Sequence, residues 1–177
     1  RSLPLLASLA ILLLAPSAAS ALTQTDLDTS FGGTGIVTPA LPALNSNFSV
    51  ATQADGKIVG AYVTTGGAPI AFRLNPDGSL DGTFGTGGKV DLAVLGATGI
   101  TVDRVLVAGD GTIYVAGDGS VAGLTRDAVW ALTTAGAPKL SFNGTGSRLL
   151  PTVSGSDNDI GDAALRTLSG GMKRRLT

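Results

Sequence analysis

The sequence predicts an all-β protein made of repeated units of about 55 residues, each a set of short antiparallel strands resembling a β-propeller blade, in an incomplete array. Three observations predict it. Gly supplies 26 of the 177 residues, about double its usual share, and all 13 acidic residues are Asp, with no Glu anywhere. Gly and Asp favour turns, and a chain so poor in Glu and Lys is a weak helix former. Apolar, β-branched and aromatic runs are short and bounded by Asp-Gly or Gly-rich stretches, and 44% hydrophobic content is enough for a packed core. Finally, several landmarks recur in one order at nearly one spacing.

The first element is an export signal. Arg1 precedes an uncharged Leu-rich run over 3–15, followed by Pro16-Ser17-Ala18-Ala19-Ser20-Ala21. Ala19-Ser20-Ala21 has the small-x-small form of a signal-peptidase site, so 1–21 is expected to be a signal peptide, with the repeat region occupying 22–177. The apolar run, about 13 residues, falls short of the ~20 that span a bilayer, so no stable membrane span is expected. The expected location is secreted, periplasmic or at the cell surface. The only Met is Met172, and a chain truncated at its front is expected on that ground.

Next come the repeat landmarks. Leu27-Asp28-Thr29-Ser30-Phe31-Gly32 returns as Leu80-Asp81-Gly82-Thr83-Phe84-Gly85, with a looser copy at Leu140-Ser141-Phe142. Asp55-Gly56-Lys57-Ile58-Val59 returns as Asp110-Gly111-Thr112-Ile113-Tyr114, and Phe72-Arg73-Leu74-Asn75-Pro76-Asp77-Gly78 is echoed by 130–136. The implied units are roughly 26–79, 80–137 and an incomplete 138–177. Within each, strand-like pieces (50–52 and 105–107) lead through an Asp-Gly turn into apolar runs, 58–63 and 113–116. Asn75-Pro76-Asp77-Gly78 has the form of a type I turn, separating a strand over 71–74 from Ser79-Leu80. Phe31, Phe84 and Phe142 are expected to plug the core beneath glycine loops.

Leu-Asp-x-Thr-Phe-Gly followed by Asp-Gly-Lys-Ile and Arg-Leu-Asn-Pro-Asp-Gly-Ser-Leu-Asp resembles the delta-60 repeat family of bacterial surface and secreted proteins. The resemblance covers 26–149 and is best over 73–90. It implies β-propeller-like arrays and no particular chemistry. The chain departs from the pattern at 129–136, which lacks the Asn-Pro-Asp-Gly turn, and at 140–142, which lacks Leu-Asp-x-Thr-Phe.

Chemistry is bounded mainly by exclusion. With no Cys and no His there is no disulfide, no thiolate zinc site and no Ser-His-Asp triad. The segment 168–176 resembles the signature loop of ABC-type ATPases, but the nearest phosphate-loop imitation, Gly85-Thr86-Gly87-Gly88-Lys89, is followed by Val90 instead of Ser or Thr. The glycines of 117–123 imitate a dinucleotide-binding turn and are expected to form a hairpin turn instead. Asp157, Asp159 and Asp162, and likewise Asp26 and Asp28, put carboxylates close together as calcium ligands would be, yet an EF-hand loop counted from Asp157 would need Glu where Leu168 stands. Any two Asp residues have the chemistry for glycoside hydrolysis, so spacing nominates no catalytic residue and no cofactor. Without Arg1 and the terminal Lys173, Arg174 and Arg175, eight basic residues face thirteen Asp, which argues against a nucleic-acid partner.

The expected function is therefore that of an exported bacterial repeat protein, a non-catalytic binding, structural or adhesion module. The motif positions Phe31, Gly32, Asp55, Gly56, Asp77, Gly78, Phe84, Gly85, Asp110, Gly111 and Phe142 would shape its loops. Expected partners are an extracellular or envelope ligand, further repeat units, or a second copy. The alternatives are a propeller-type hydrolase or lyase using loop Asp residues, and a calcium-dependent adhesion module.

Overall fold

The structure, a computed structural model, describes residues 27–150. The expected signal peptide at 1–21, the Asp157, Asp159 and Asp162 group and the segment 168–176 lie outside the described residues. Eight strands follow in order: β1 (Leu44–Thr52), β2 (Ile58–Thr64), β3 (Pro69–Leu74), β4 (Lys89–Asp91), β5 (Arg104–Val107), β6 (Ile113–Val121), β7 (Leu124–Leu132) and β8 (Ser147–Leu149). They form two four-stranded sheets, β1-β2-β3-β4 and β5-β6-β7-β8. Every neighbouring pair is antiparallel. No helix occurs among the described residues. The molecule is all-β and propeller-like, with sheets that connect each strand to its neighbour, as in a blade.

The Asp-Gly pairs turn the chain in one recurrent way. Gln53 N–H donates to Lys57 O at 2.8 Å while Gly56 N–H donates back to Gln53 O at 3.0 Å, with Gly56 at φ 81°. The same bonds close 64–68, 75–79, 108–112 and 133–137, each with a glycine near φ 80° in the fourth position. This is a type I turn ended by a left-handed residue, which a side chain with Cβ adopts only at a cost. In sheet two the β6–β7 connection differs. The hairpin expected over 117–123 is instead confined to Ala122-Gly123, and β6 runs on to Val121. Glycines 117 and 119 lie inside the strand because the 98–103 segment crosses against it: a Cβ on Gly117 would sit 2.0 Å from Thr101 O. The expected Ser79-Leu80 strand is reduced to a single bridge, Leu74 to Leu80. The fourth strands, β4 and β8, carried no sequence signal.

β2 and β3 are buried along nearly their whole length, so they read as continuous apolar runs with both faces covered. One face of sheet one (Val59, Ala61, Val63, Ala71) packs on one face of sheet two (Ile113, Val115, Trp130, Leu132), with Phe84 enclosed between them at 0% exposure. The opposite face of sheet one holds Tyr62, Ile70, Phe72 and Leu74, covered by Phe31 and Leu41. The opposite face of sheet two holds Tyr114, Ala116, Val129 and Ala131, with Phe142 and Leu150 against them. Phe31, Phe84 and Phe142 thus all reach apolar clusters, and only Phe84 is fully enclosed. Where β1 passes β5, Val105 N–H donates to Ser49 Oγ at 3.0 Å.

Candidate functional site

The motif residues converge on a joint between units. Gly32 N–H donates to Asp77 O at 2.8 Å, and Gly85 N–H donates to Ala135 O at 2.9 Å. Each Phe-Gly loop therefore hooks onto the turn that follows the third strand of the sheet after it. The fit depends on glycine in that turn: a Cβ on Gly78 would lie 3.1 Å from the Phe31 ring and 2.3 Å from Val37, and one on Gly136 would lie 3.0 Å from the Phe84 ring and 2.8 Å from Val90. Phe31, Gly32, Asp77, Gly78, Phe84 and Gly85 meet at these joints. Asp55, Gly56, Asp110 and Gly111 form the β1–β2 and β5–β6 turns.

The Asp side chains of these loops are spent locally. Asp28, Asp55, Asp77, Asp81 and Asp110 each accept, through Oδ1, the backbone N–H two residues on, at 2.9 to 3.2 Å. Hydrogen bonds from Ser30 hold the Asp28 carboxyl below its usual range, and those from Ser79 do the same for Asp77. Asp81 is buried and also accepts from Lys57 Nζ and Arg73 Nε, both at 2.8 Å. Hydrogen bonds from Lys57 first, then Thr83, hold it far below the ordinary carboxylate range, with the Arg73 charge adding to them. Arg73 also donates to Thr134 O of the next unit and stacks over Phe84, 4.8 Å from its ring centre. A charge trio, with Asp81 and Arg73 buried and Lys57 half-buried, thereby spans the joint.

In sheet two the charges are arranged differently. The bonds Asp81 N–H to Arg73 O and Lys139 N–H to Ala131 O are equivalent, which places Lys139 where Asp81 stands and Ala131 where Arg73 stands. Lys139 then donates to Asp110 Oδ2 at 2.9 Å and to Thr112, which occupies the place of Lys57. The Lys139 hydrogen bond is the main cause that lowers the Asp110 carboxyl.

Sequence spacing missed a second group. Asp118 and Asp127 are direct cross-strand partners on β6 and β7, and Asp103 lies close to both. Desolvation, then the Asp118 charge, raises both the Asp103 and Asp127 carboxyls. A strand-register argument would have found the Asp118–Asp127 pair once β6 was extended past Gly117. Two clefts open elsewhere. One, about 630 Å³, is lined by Ile70, Lys89, Asp91 and the 135–137 turn. The other, about 380 Å³, lies between the Asp55 and Asp110 turns. The acidic trio lines neither. Among the described residues no group of three or more acidic, His or Cys side chains is arranged to hold a metal ion.

Comparison with known proteins gives one family match. A family described as a domain of unknown function (DUF5122), beta-propeller, matches residues 53–84. That stretch runs from the first Asp-Gly turn through β2, β3 and the joint residue Phe84, and it supports a propeller-type repeat. No curated protein and no solved structure matches the chain.

Proposed function

We propose that this chain is an exported bacterial propeller-type repeat protein, of the delta-60 kind, that works as a non-catalytic binding, structural or adhesion module at or beyond the cell envelope. The observation that carries the proposal is the use of the loop carboxylates: five Asp side chains are engaged by the backbone two residues on, and Asp81 is also neutralised by Lys57 and Arg73. Carboxylates bound in this way serve as turn-formers, and the bonds that lower Asp28, Asp77, Asp81 and Asp110 make them weak bases with no proton to give at neutral pH.

The convergence of Asp103, Asp118 and Asp127 favours a second reading, a hydrolase or lyase, because raised carboxyls are what acid catalysis needs. One experiment separates the two. The full chain is expressed with a reporter active only outside the cytoplasm, purified, and titrated against isolated envelope fractions with and without millimolar calcium. Export and saturable binding that persists in Asp103→Asn/Asp127→Asn support the module. Glycan cleavage lost in that double variant would replace it with the enzyme. Binding and thermal stability that require calcium would point to the adhesion variant involving Asp157, Asp159 and Asp162.

A further inference from the structure

The joints described above have two sides, and among the described residues the first shows only one of them. Segment 80–91 belongs to sheet one and hooks onto sheet two. Segment 27–38 hooks onto sheet one by the same bonds: Gly32 N–H to Asp77 O repeats Gly85 N–H to Ala135 O, and Val37 meets Gly78 as Val90 meets Gly136. Internally the two segments also agree. Ser30 N–H donates to Asp28 Oδ1 at 2.9 Å as Thr83 N–H does to Asp81 at 3.0 Å. The missing Cβ of Gly35 faces Leu27 as that of Gly88 faces Leu80.

What differs is the sheet each segment should belong to. Residues 89–91 are β4, paired with β3 through Phe72–Lys89, Ala71–Val90 and Ile70–Asp91. The equivalent residues, 36–38, have no strand partner among the described residues, and Ile36 is 61% exposed. Asp81 is gripped by Lys57 and Arg73 of its own sheet, whereas Asp28 is exposed and, among the described residues, carries no ion pair.

We propose that 27–38 is a docking edge for a further repeat unit of defined chemistry. That unit is a three-stranded antiparallel meander with an open third-strand edge, an Arg where β3 has Arg73 and a Lys where Lys57 stands. Its third strand pairs with 36–38, and its two cations bind Asp28. Continuity with the joint already formed and the complementary charge at Asp28 select this occupant over an unrelated strand. The inference rests on the repeat reading of the chain and specifies the partner that reading implies.

The test inserts a second copy of residues 44–79 between Asp26 and Leu27 of the full chain, reproducing the Ser79-Leu80 junction of sheet one. The extended protein is expected to melt about 5 °C higher or more and to slow amide exchange at 36–38 at least tenfold. Asp28→Asn should cancel most of that gain in the extended protein while leaving the parent's Tm within about 1 °C. Unprotected amides at 36–38, or an equal effect of Asp28→Asn in both proteins, would overturn the proposal. Should the extended chain fail to fold, the synthetic peptide of residues 44–79, which carries all three strands, is added to the parent: protection of 36–38 that Asp28→Lys abolishes supports the edge, and no protection refutes it. Asp81→Asn in the parent is the separate control, since an unchanged Tm there would refute the joint itself.

Discussion

At the scale of single residues, backbone conformation and close approach decide what each position tolerates. Ala122 sits at φ 52° as the first central residue of a two-residue turn, where glycine or asparagine is at ease and alanine is not. Ala122→Gly is expected to stabilise the protein by about 0.5–1 kcal/mol, read as a Tm rise of about 2–4 °C in thermal denaturation. Gly136 carries two constraints, φ 84° and the Phe84 ring 3.0 Å from its missing Cβ, whereas Gly87, at φ 59°, has open space around it. Gly136→Ala should therefore cost about 2–4 kcal/mol in urea denaturation and Gly87→Ala only about 1 kcal/mol. Equal costs would mean that the joint does not depend on close approach. Asp103 illustrates a residue the sequence did not flag. Its carboxyl is raised by desolvation and by Asp118, so the folded state holds its proton more tightly than the unfolded chain. That contribution favours folding at acid pH and is lost as pH rises through the raised value. Asp103→Asn should melt higher than the parent at pH 7, with the gap closing as pH approaches 4.

At the scale of elements, the hairpins were legible because their signal is local. Asp and Gly at fixed offsets set the left-handed position and the carboxylate-to-amide bond, whichever sheet they serve. Strand ends were less legible. β6 extends to Val121 through two glycines only because the 98–103 segment lies against it, a contact between residues well separated in sequence. β4 and β8 are three residues long, and β4 follows directly on the loop that the joint holds. The Arg73–Asp81–Lys57 trio, buried at Arg73 and Asp81, joins the β1–β2 turn, β3 and the joint loop of sheet one. Removing Asp81 strands the buried Arg73 charge, so Asp81→Leu should destabilise by about 3–5 kcal/mol, measured by denaturant unfolding. Asp81 is held far below its ordinary 3.8, so its stabilisation is full above that value and lost as pH falls below it. Between pH 5 and 2, Asp81→Asn should accordingly flatten the fall in Tm relative to the parent.

At the scale of the whole molecule, the inter-sheet core makes the two sheets one cooperative unit. Trp130, the only tryptophan, is 2% exposed in that core and donates from Nε1 to Ala93 O at 2.7 Å. Its fluorescence and the far-ultraviolet circular dichroism of the strands should report one coincident transition, and Trp130→Ala should lower stability by about 3–5 kcal/mol. Separate transitions would mean that each sheet folds alone. The sequence by itself determined the all-β class, the unit of about 55 residues, the Asp-Gly turns and the apolar placement of Phe31, Phe84 and Phe142, because turn chemistry and periodicity act over a few residues. Only the tertiary structure decided that each Phe-Gly loop hooks onto a turn of the following sheet, that Lys139 stands where Asp81 does and pairs with Asp110, and that Asp103, Asp118 and Asp127 converge. Those outcomes depend on which residues meet across sheets, and the free energy of such contacts comes from burial and charge pairing between segments far apart in the chain.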